Sequence, residues 1–445
     1  MTQHRPNVLY LHSHDTGRYV QPYGHAVPTP AYQRLAQEGV LFRQNFCLGP
    51  TCSPSRAALL TGQTPHSCGQ LGLAHRGFEL QHPERHLAWT LRHHGYATAL
   101  VGVQHVVRNV PERVAATGYE RSFTEGRNAA HVLPKTLELL REHAQGSRDR
   151  PFFMDIGFTE THRVFHGADS SASPAEDARY CLPPPVLPDT PETRQDMADF
   201  KASARVLDGA IGRILDALDE HGMADDTLVI LTTDHGIAFP QMKCNLTDHG
   251  TGVLLILRGP AGVDRLRGGR VVDAMVAHLD VFPTVCEVAG VPPPDWLQGA
   301  SLLPLAGGAV ESLHETVFGE VNYHVPYEPQ RSARTERWKY IRRYDHFGKP
   351  LLANCDDGPS KEVWLRHGWS DQDTAPEQLY DLVFDPQERH NVIGDDRYRA
   401  VADDMRGRLE RWMRETDDPL LQGPIPLPPG AQVSPPELLS PRLAR

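Results

Sequence analysis

The sequence predicts an α/β fold with a mostly parallel central sheet flanked by helices, followed by a smaller C-terminal α+β domain with an antiparallel sheet. The first observation is a set of near-continuous apolar runs, which are typical of parallel strands buried on both faces. They alternate with helical patterns such as residues 199–221, where apolar residues recur at helical spacing before Gly222. The runs predicted as strands are residues 8–11, 40–46, 97–101, 151–157, 228–231 and 252–257.

The second observation is a change of character near Glu315. Before it, residues 292–294 and 299–304 are rich in proline and small residues and are predicted as a linker. A chain of 445 residues can form one large domain with a smaller companion. We therefore place the large domain in residues 1–310 and the smaller one in residues 311–445. The smaller domain is predicted to contain short strands at residues 317–321, 338–342 and 377–382 and a charged helix over residues 397–416.

Composition narrows the class of partner. The net charge of −11 and the pI near 6.1 argue against nucleic acid or an anionic membrane as the main partner. The sequence shows neither an apolar signal region nor a membrane-spanning run, so we expect a cytoplasmic protein. Seven cysteines at irregular spacing favour reduced thiols over a disulfide framework. The oligomeric state stays open, with a homo-oligomer as one option.

One short stretch, residues 51–62, predicts a reactive cysteine or an anion-binding site. Cys52 lies in a turn set by Pro54, Arg56 follows, and a short apolar helix ends at Gly62. A cysteine at a helix N-terminus beside an arginine is in an electropositive environment, which stabilises a thiolate or a bound anion. The ordinary alternative is a half-buried cysteine beside a surface arginine, so the motif needs support from the rest of the chain.

The sequence from Cys52 to Arg56, followed by Leu59-Leu60-Thr61-Gly62, resembles the signature of the formylglycine-dependent sulfatases, members of the alkaline-phosphatase-like superfamily. The resemblance implies an alkaline-phosphatase-like large domain and a formylglycine-generating enzyme as a partner. That enzyme would oxidise Cys52 to an aldehyde, and the hydrated aldehyde would act as the nucleophile. Arg56 would orient it.

The resemblance also implies a divalent metal. Asp15, Asp234 and His235 follow predicted strands, at the sheet edge where α/β proteins place their sites. Sulfatases have two adjacent aspartates near the first strand, and here the first of them is replaced by His14. Calcium is the metal expected from the family. Because imidazole suits Mn²⁺ or Zn²⁺ better, either the metal differs or His14 lies outside the ligand shell.

Further matches follow later strands. His105 stands where the family has the histidine of Gly-Lys-x-His, but Val103 replaces the lysine, and Arg56, His105 or Arg108 could compensate. Residues 158–163 resemble the heparan N-sulfatase branch in Phe158, His162 and Arg163. The resemblance implies that Lys243 and His162 hold and protonate the sulfate end. His105 would be the base, and Arg163 a weaker substrate contact.

The smaller domain should complete the substrate pocket. Its strands and helix match the C-terminal pattern of the family at Glu377-Gln-Leu-Tyr-Asp-Leu382. The candidate substrate contacts there are Glu320, Tyr323, His324 and Arg331.

Three functions follow from these matches. The first is a hydrolase that removes sulfate from a small sulfated sugar, either N-linked on an amino sugar or O-linked. The second is a phosphonate or phosphate ester hydrolase built on the same site. The third is a degenerate homologue that binds a sulfated ligand without turnover, supported by His14 and Val103. The otherwise complete residue set favours hydrolysis, and the missing lysine favours sulfate over the more highly charged phosphate.

Overall fold

The computed structural model describes residues 5–146, 150–165 and 176–443. Its strands form one sheet of eight and a second sheet of four. The first sheet contains β1 (Asn7–Ser13), β2 (Val40–Phe46), β3 (Ala97–Gly102), β4 (Arg121–Phe123), β5 (Phe152–Gly157), β6 (Thr227–Thr233), β7 (Leu255–Arg258) and β8 (Arg270–Ala277).

The eight strands lie in the order β4-β3-β5-β1-β6-β7-β2-β8. Strand β1 is central and pairs in parallel with β5 and β6, whereas β7 is antiparallel to both of its neighbours. All seven residues of β1 are buried. Alternate residues of β1 enter two different hydrophobic cores, with Val8 on one face and Leu9 on the other, as the two-residue period of a strand requires. The predicted mostly parallel sheet is confirmed.

Helices cover both faces of this sheet. The longest, α7 (Pro191–Glu220), begins before the predicted start because Thr190 and Thr193 cap its first turn reciprocally. The other helices are α1 (Pro30–Glu38), α2 (Cys52–Thr61), α3 (Pro65–Cys68), α4 (Leu87–His93), α5 (Pro111–Ala116), α6 (Ala129–Gln145), α8 (Asp248–Thr251), α9 (Val281–Ala289), α10 (Leu303–Ala306), α11 (Pro359–Arg366) and α12 (Arg399–Glu415).

The second sheet is wholly antiparallel, in the order β12-β11-β10-β9, which confirms the predicted smaller sheet. Helix α12 packs on it through Met405, Leu409 and Met413. The division at residue 310 stays a prediction. The strands are β9 (Val317–Tyr323), β10 (Tyr327–Arg334), β11 (Trp338–Arg343) and β12 (Glu377–Asp381).

Among the described residues, no helix is both long enough and apolar enough to span a membrane.

Candidate active site

Two neighbouring strand ends form the centre of the site. Strands β1 and β6 are parallel and pair Ser13 with Thr233, so the residues that follow them meet at one edge of the sheet. The backbone N–H of Asp15 donates to Oδ1 of Asp234 at 2.8 Å, which joins the two segments directly. Asp15 has a φ of 56°, a left-handed conformation that turns its carboxylate toward Asp234 and His235.

The two carboxylates are buried and ionised. Burial opposes ionisation of Asp15, but Lys243 and the neighbouring histidines hold its pKa well below the usual range. Burial likewise opposes ionisation of Asp234, and Arg56 holds its pKa low. The imidazole of His14 lies between them, with Nδ1 2.8 Å from Oδ1 of Asp15 and 3.3 Å from Oδ2 of Asp234. Nε2 of His235 is 3.3 Å from Oδ1 of Asp15.

Cys52 is the first residue of α2 and faces this cluster. Its Sγ is 3.5 Å from Nε2 of His235, and the residue is only 4% exposed. Burial raises the pKa of the thiol, although Lys243 opposes this. The expected stabilised thiolate is therefore wrong for the unmodified residue, because desolvation outweighs the nearby positive charges. A protonated thiol is a poor nucleophile.

Arg56 lies one helical turn after Cys52 and is fully surrounded. One guanidinium nitrogen donates to Oδ2 of Asp234 at 2.9 Å and to the carbonyl of Ser13 at 3.0 Å. A second guanidinium nitrogen, Nη1, contacts Nδ1 of His12. Arg56 thus fixes a carboxylate of the site and the end of β1. Behind it, His12 bonds Asp155 through Nε2 at 2.7 Å.

His105 closes one side of the cluster. Its Nδ1 lies 3.3 Å from Nε2 of His14, and its φ of 55° turns the residue away from the line of β3. Burial, followed by the charge of His14, holds the pKa of His105 well below its usual range. His105 is therefore an uncharged imidazole that can accept a proton.

Lys243 occupies the opposite side. Its Nζ donates to Oδ2 of Asp15 at 3.0 Å and to Oδ2 of Asp356 at 2.8 Å, and lies 3.4 Å from Nε2 of His162. Burial opposes the charge of Lys243, but the two carboxylates raise its pKa well above the usual range. His324 lies beside this group, where burial and then Lys243 lower its pKa to about 3.

The donor atoms are close enough for a metal ion. One atom each of His14, Asp15, Cys52 and Asp234 lies within 4.8 Å of the others, and all four residues are buried. Two carboxylates with one or two imidazoles form a donor set that suits a divalent transition metal. The residues present therefore fit a metal, and the imidazole of His14 lies inside the cluster rather than outside it.

Comparisons with known proteins cover most of the chain. The family profile described as Sulfatase matches residues 6–291, and the profile described as N-sulphoglucosamine sulphohydrolase, C-terminal, matches residues 243–366. Human N-sulphoglucosamine sulphohydrolase is 30% identical, with 94% of this chain and 92% of the human protein covered. The chain belongs to the sulfatase family. The predicted resemblance to the sulfatases and to their sulfamidase branch is therefore confirmed.

More distant sulfatases and structures extend the match. An ulvan-active sulfatase of Formosa agariphila is 24% identical over 93% of this chain and 76% of its own length. A solved structure in complex with its substrate, D-glucosamine-2-N,6-O-disulfate, superposes with a TM-score of 0.70 at 18% identity. It covers 94% of this chain and 99% of its own. At that identity the superposition supports the shared fold.

This sulfatase lacks the strand-end lysine that the family motif carries. Val103 replaces it and is 2% exposed. The expected compensation by Arg108 has little support, since Arg108 pairs with Glu79 at 2.5 Å and is half exposed. Arg56 is committed to Asp234. Of the charges around Cys52, that of Lys243 has the largest effect on the pKa of its thiol.

Two residues predicted to contact substrate, Arg163 and Glu320, instead bind other residues of the chain. Arg163 forms a two-point ion pair with Asp196, at 2.7 and 2.6 Å. Oε1 of Glu320 accepts from the backbone and the Nδ1 of His66, at 3.0 and 2.8 Å. A buried carboxylate held in this way joins β9 to α3, so the structure gives no support for a substrate role of Glu320.

Two of the three remaining candidates in the smaller domain also have internal partners. Arg331 is fully buried and pairs with Asp418. The hydroxyl of Tyr323 donates to the carbonyl of Ile425 at 2.7 Å. Of the four, His324 is the one whose pKa responds to Lys243 and Asp356, so it remains the candidate contact.

Sequence reasoning missed Asp356 and Asp155. Asp356 follows no predicted strand and belongs to no motif that was recognised, yet it pairs with Lys243. Asp155 lies within β5, in a run read only as a buried strand. A charged residue inside an otherwise apolar strand was the available signal, because a buried carboxylate requires a partner.

Proposed function

We propose that this chain is a hydrolase that removes sulfate from a sulfated sugar, as a sulfate ester or a sulfamate, using a formylglycine made from Cys52 and a divalent metal. The observation that carries the proposal is the position of Cys52, buried against His235 and within 4.8 Å of donor atoms of His14, Asp15 and Asp234. The similarity to human N-sulphoglucosamine sulphohydrolase supports an N-sulfated amino sugar as one substrate class.

Asp15, Asp234, His235 and His14 would hold the metal. When bound, the metal and the hydrated aldehyde supply Lewis-acid polarisation of a sulfate oxygen and a nucleophilic hydroxyl. The surrounding residues position these groups and transfer protons. Arg56 holds Asp234 in position through its 2.9 Å bond. His105 has a ring nitrogen within 4.8 Å of Sγ of Cys52, so it would be the base that acts in breakdown of a covalent sulfate.

Lys243 and His162, on the opposite side of the site from His105, would bind the sulfate and protonate the leaving group. Lys243 is charged and buried. Two of its three N–H groups bind Asp15 and Asp356, and the third, beside Nε2 of His162, would donate to a sulfate oxygen. His162 is the more accessible partner, with 29% of its side chain exposed, which suits a group that donates a proton to the leaving group. Hydrolysis consumes one water, releases sulfate and returns a proton to the leaving oxygen or nitrogen.

The test is a substrate panel on protein purified from its own host, where the proposal requires formylglycine-generating activity. The panel contains an N-sulfated glucosamine, an O-sulfated sugar and a phosphonate monoester. We expect sulfate release, which Cys52→Ala abolishes and the control Cys68→Ala retains, since Cys68 is buried in a hydrophobic core. Lys243→Ala should lower kcat by about 10²–10³-fold. Hydrolysis of the phosphonate alone, or binding without turnover, would contradict the proposal.

A further inference from the structure

A small cavity lies beside His105. Its volume is about 100 Å³, and it is lined by polar residues that follow β3 and by two other segments. A space of this size corresponds to roughly three water molecules, so it can hold one small polar group but not a sugar ring. The polar lining residues are His75, Gln104, His105, Arg108, Asn109 and Arg127.

Each wall of the cavity is fixed to a segment that carries a candidate catalytic residue. The backbone N–H of Ala74 donates to Oγ of Ser53, the neighbour of Cys52, at 3.0 Å. The carbonyl of Arg127 accepts from the N–H and the hydroxyl of Thr159, at 2.8 and 3.0 Å. Thr159 lies three residues before His162. A group bound in the cavity would therefore lie next to His105, which has a ring nitrogen within 4.8 Å of Sγ of Cys52.

One of the positively charged side chains that line the cavity has no carboxylate partner among the described residues. Arg108 is paired with Glu79, and burial, followed by Arg76, lowers the pKa of His75. Arg127 pairs with no carboxylate in the described part of the chain, and its Nε donates to the carbonyl of Thr124 at 3.4 Å. The cavity thus presents one guanidinium together with neutral imidazole and amide groups.

We infer that this cavity binds a second anionic group of the substrate, a carboxylate or a second sulfate, through Arg127, while the group to be cleaved lies at Cys52. The inference rests on the proposed function for its placement of the cleaved group. A guanidinium binds such oxyanions with two parallel hydrogen bonds.

His105 belongs both to the lining of this cavity and to the group that it forms with His14 and Cys52, whereas Arg127 belongs to the lining. Its charge acts on His105 and His75. The charges that act most strongly on Cys52 are those of Lys243, Asp15, Asp234 and Arg56. This separation distinguishes Arg127 from a substitute for the missing lysine, which would have to contact the cleaved sulfate itself.

The experiment compares substrates with one and two anionic groups. The probes are glucosamine N-sulfate, D-glucosamine-2-N,6-O-disulfate and a sulfated disaccharide that carries a hexuronate carboxylate. Losing a charge-assisted pair should lower the ratio of kcat/KM for doubly to singly anionic probes by about ten- to a hundredfold in Arg127→Gln. The loss should fall mainly on KM, and Arg127→Lys should retain part of the ratio. The matched control is Arg121→Gln, a half-exposed arginine paired with Glu142.

The two doubly anionic probes distinguish a sulfate from a carboxylate as the bound group. An equal loss for all probes in Arg127→Gln would overturn the inference, because Arg127 would then act on the cleaved sulfate. An unchanged ratio would overturn it as well.

A binding measurement distinguishes failure of this inference from failure of the proposed function. Calorimetry with the disulfated sugar is done on Cys52→Ala, with and without Arg127→Gln, so that no turnover is needed. A ten- to hundredfold weaker affinity in the double variant supports the subsite even if no probe is hydrolysed. Turnover of the probes with an affinity that does not depend on Arg127 supports the hydrolase and overturns the subsite.

Discussion

His14 occupies the position where sulfatases have the first of two adjacent aspartates, and its imidazole lies between two carboxylates of the site. Nitrogen ligands favour Mn²⁺ or Zn²⁺, whereas calcium prefers oxygen. We expect the wild-type protein to bind Mn²⁺ or Zn²⁺ more tightly than Ca²⁺. His14→Asp should shift the ratio of affinities toward Ca²⁺ by about tenfold or more, as measured by calorimetry and metal content. His93→Asp, at an exposed site, is the control. An unchanged ratio would place His14 outside the ligand shell.

Residues within sequence motifs were predictable, and isolated ones were not. Cys52, Asp15, Asp234 and His235 belong to patterns whose spacing follows from strand ends and a helix start, and the structure places them together. Asp356 stands alone in an irregular segment, so nothing local indicates its pairing with Lys243. Such partners depend on how distant parts of the chain pack.

At the scale of elements, α2 positions Cys52 and ends at Gly62. Gly62 has a φ of 66°, and a Cβ there would lie 2.4 Å from Cδ2 of Leu297. Gly62→Ala should therefore lower the free energy of unfolding by about 1–2 kcal/mol, measured by urea denaturation. Gly209→Ala in α7 is the matched control, because nothing lies within 4 Å of its Cβ. It should be neutral or stabilising, by up to about 1 kcal/mol. Equal effects of the two substitutions would contradict this account of the end of α2.

Elements with a clear hydrophobic pattern were predicted, and polar ones were missed. The apolar runs of β1, β5 and β6 identify buried parallel strands. Strand β10 has the sequence Tyr-Glu-Pro-Gln-Arg-Ser-Ala-Arg and shows no apolar alternation, yet seven of its eight residues are buried. Its charged side chains find partners in other segments, as Arg334 does with Asp248. Tertiary pairing overrides the local pattern there.

At the scale of the whole molecule, a partly buried ion pair joins the segment before the smaller sheet to the large domain. Nε2 of His314, which precedes β9, lies 2.8 Å from Oδ2 of Asp280. Asp280 in turn accepts from the backbone of Ala277 and Ala300, at 2.8 and 2.9 Å. Burial opposes the charge of His314, but the bond to Asp280 raises its pKa. The pair contributes stability that depends on pH.

A histidine whose pKa is raised by folding stabilises the protein below its unfolded pKa, and this contribution is lost as pH rises through the raised folded value. We expect His314→Gln to cost about 1–2 kcal/mol of unfolding free energy near pH 5.5 and little near pH 8.5. Urea denaturation at both values measures the difference. A cost that is equal at the two pH values, or larger at the higher one, would contradict the charged pair.

The central claim is that Cys52 is the precursor of the nucleophile, and the mass of its peptide tests this most directly. Trypsin releases residues 44–56, which contain both Cys47 and Cys52, so the peptide must be fragmented to assign the change. In protein from its own host, we predict that position 52 has lost its sulfur and two hydrogens and gained one oxygen. Cys47 should stay a thiol. A wholly unmodified thiol at position 52 would contradict the account and leave a protein that binds sulfated ligands without turning them over.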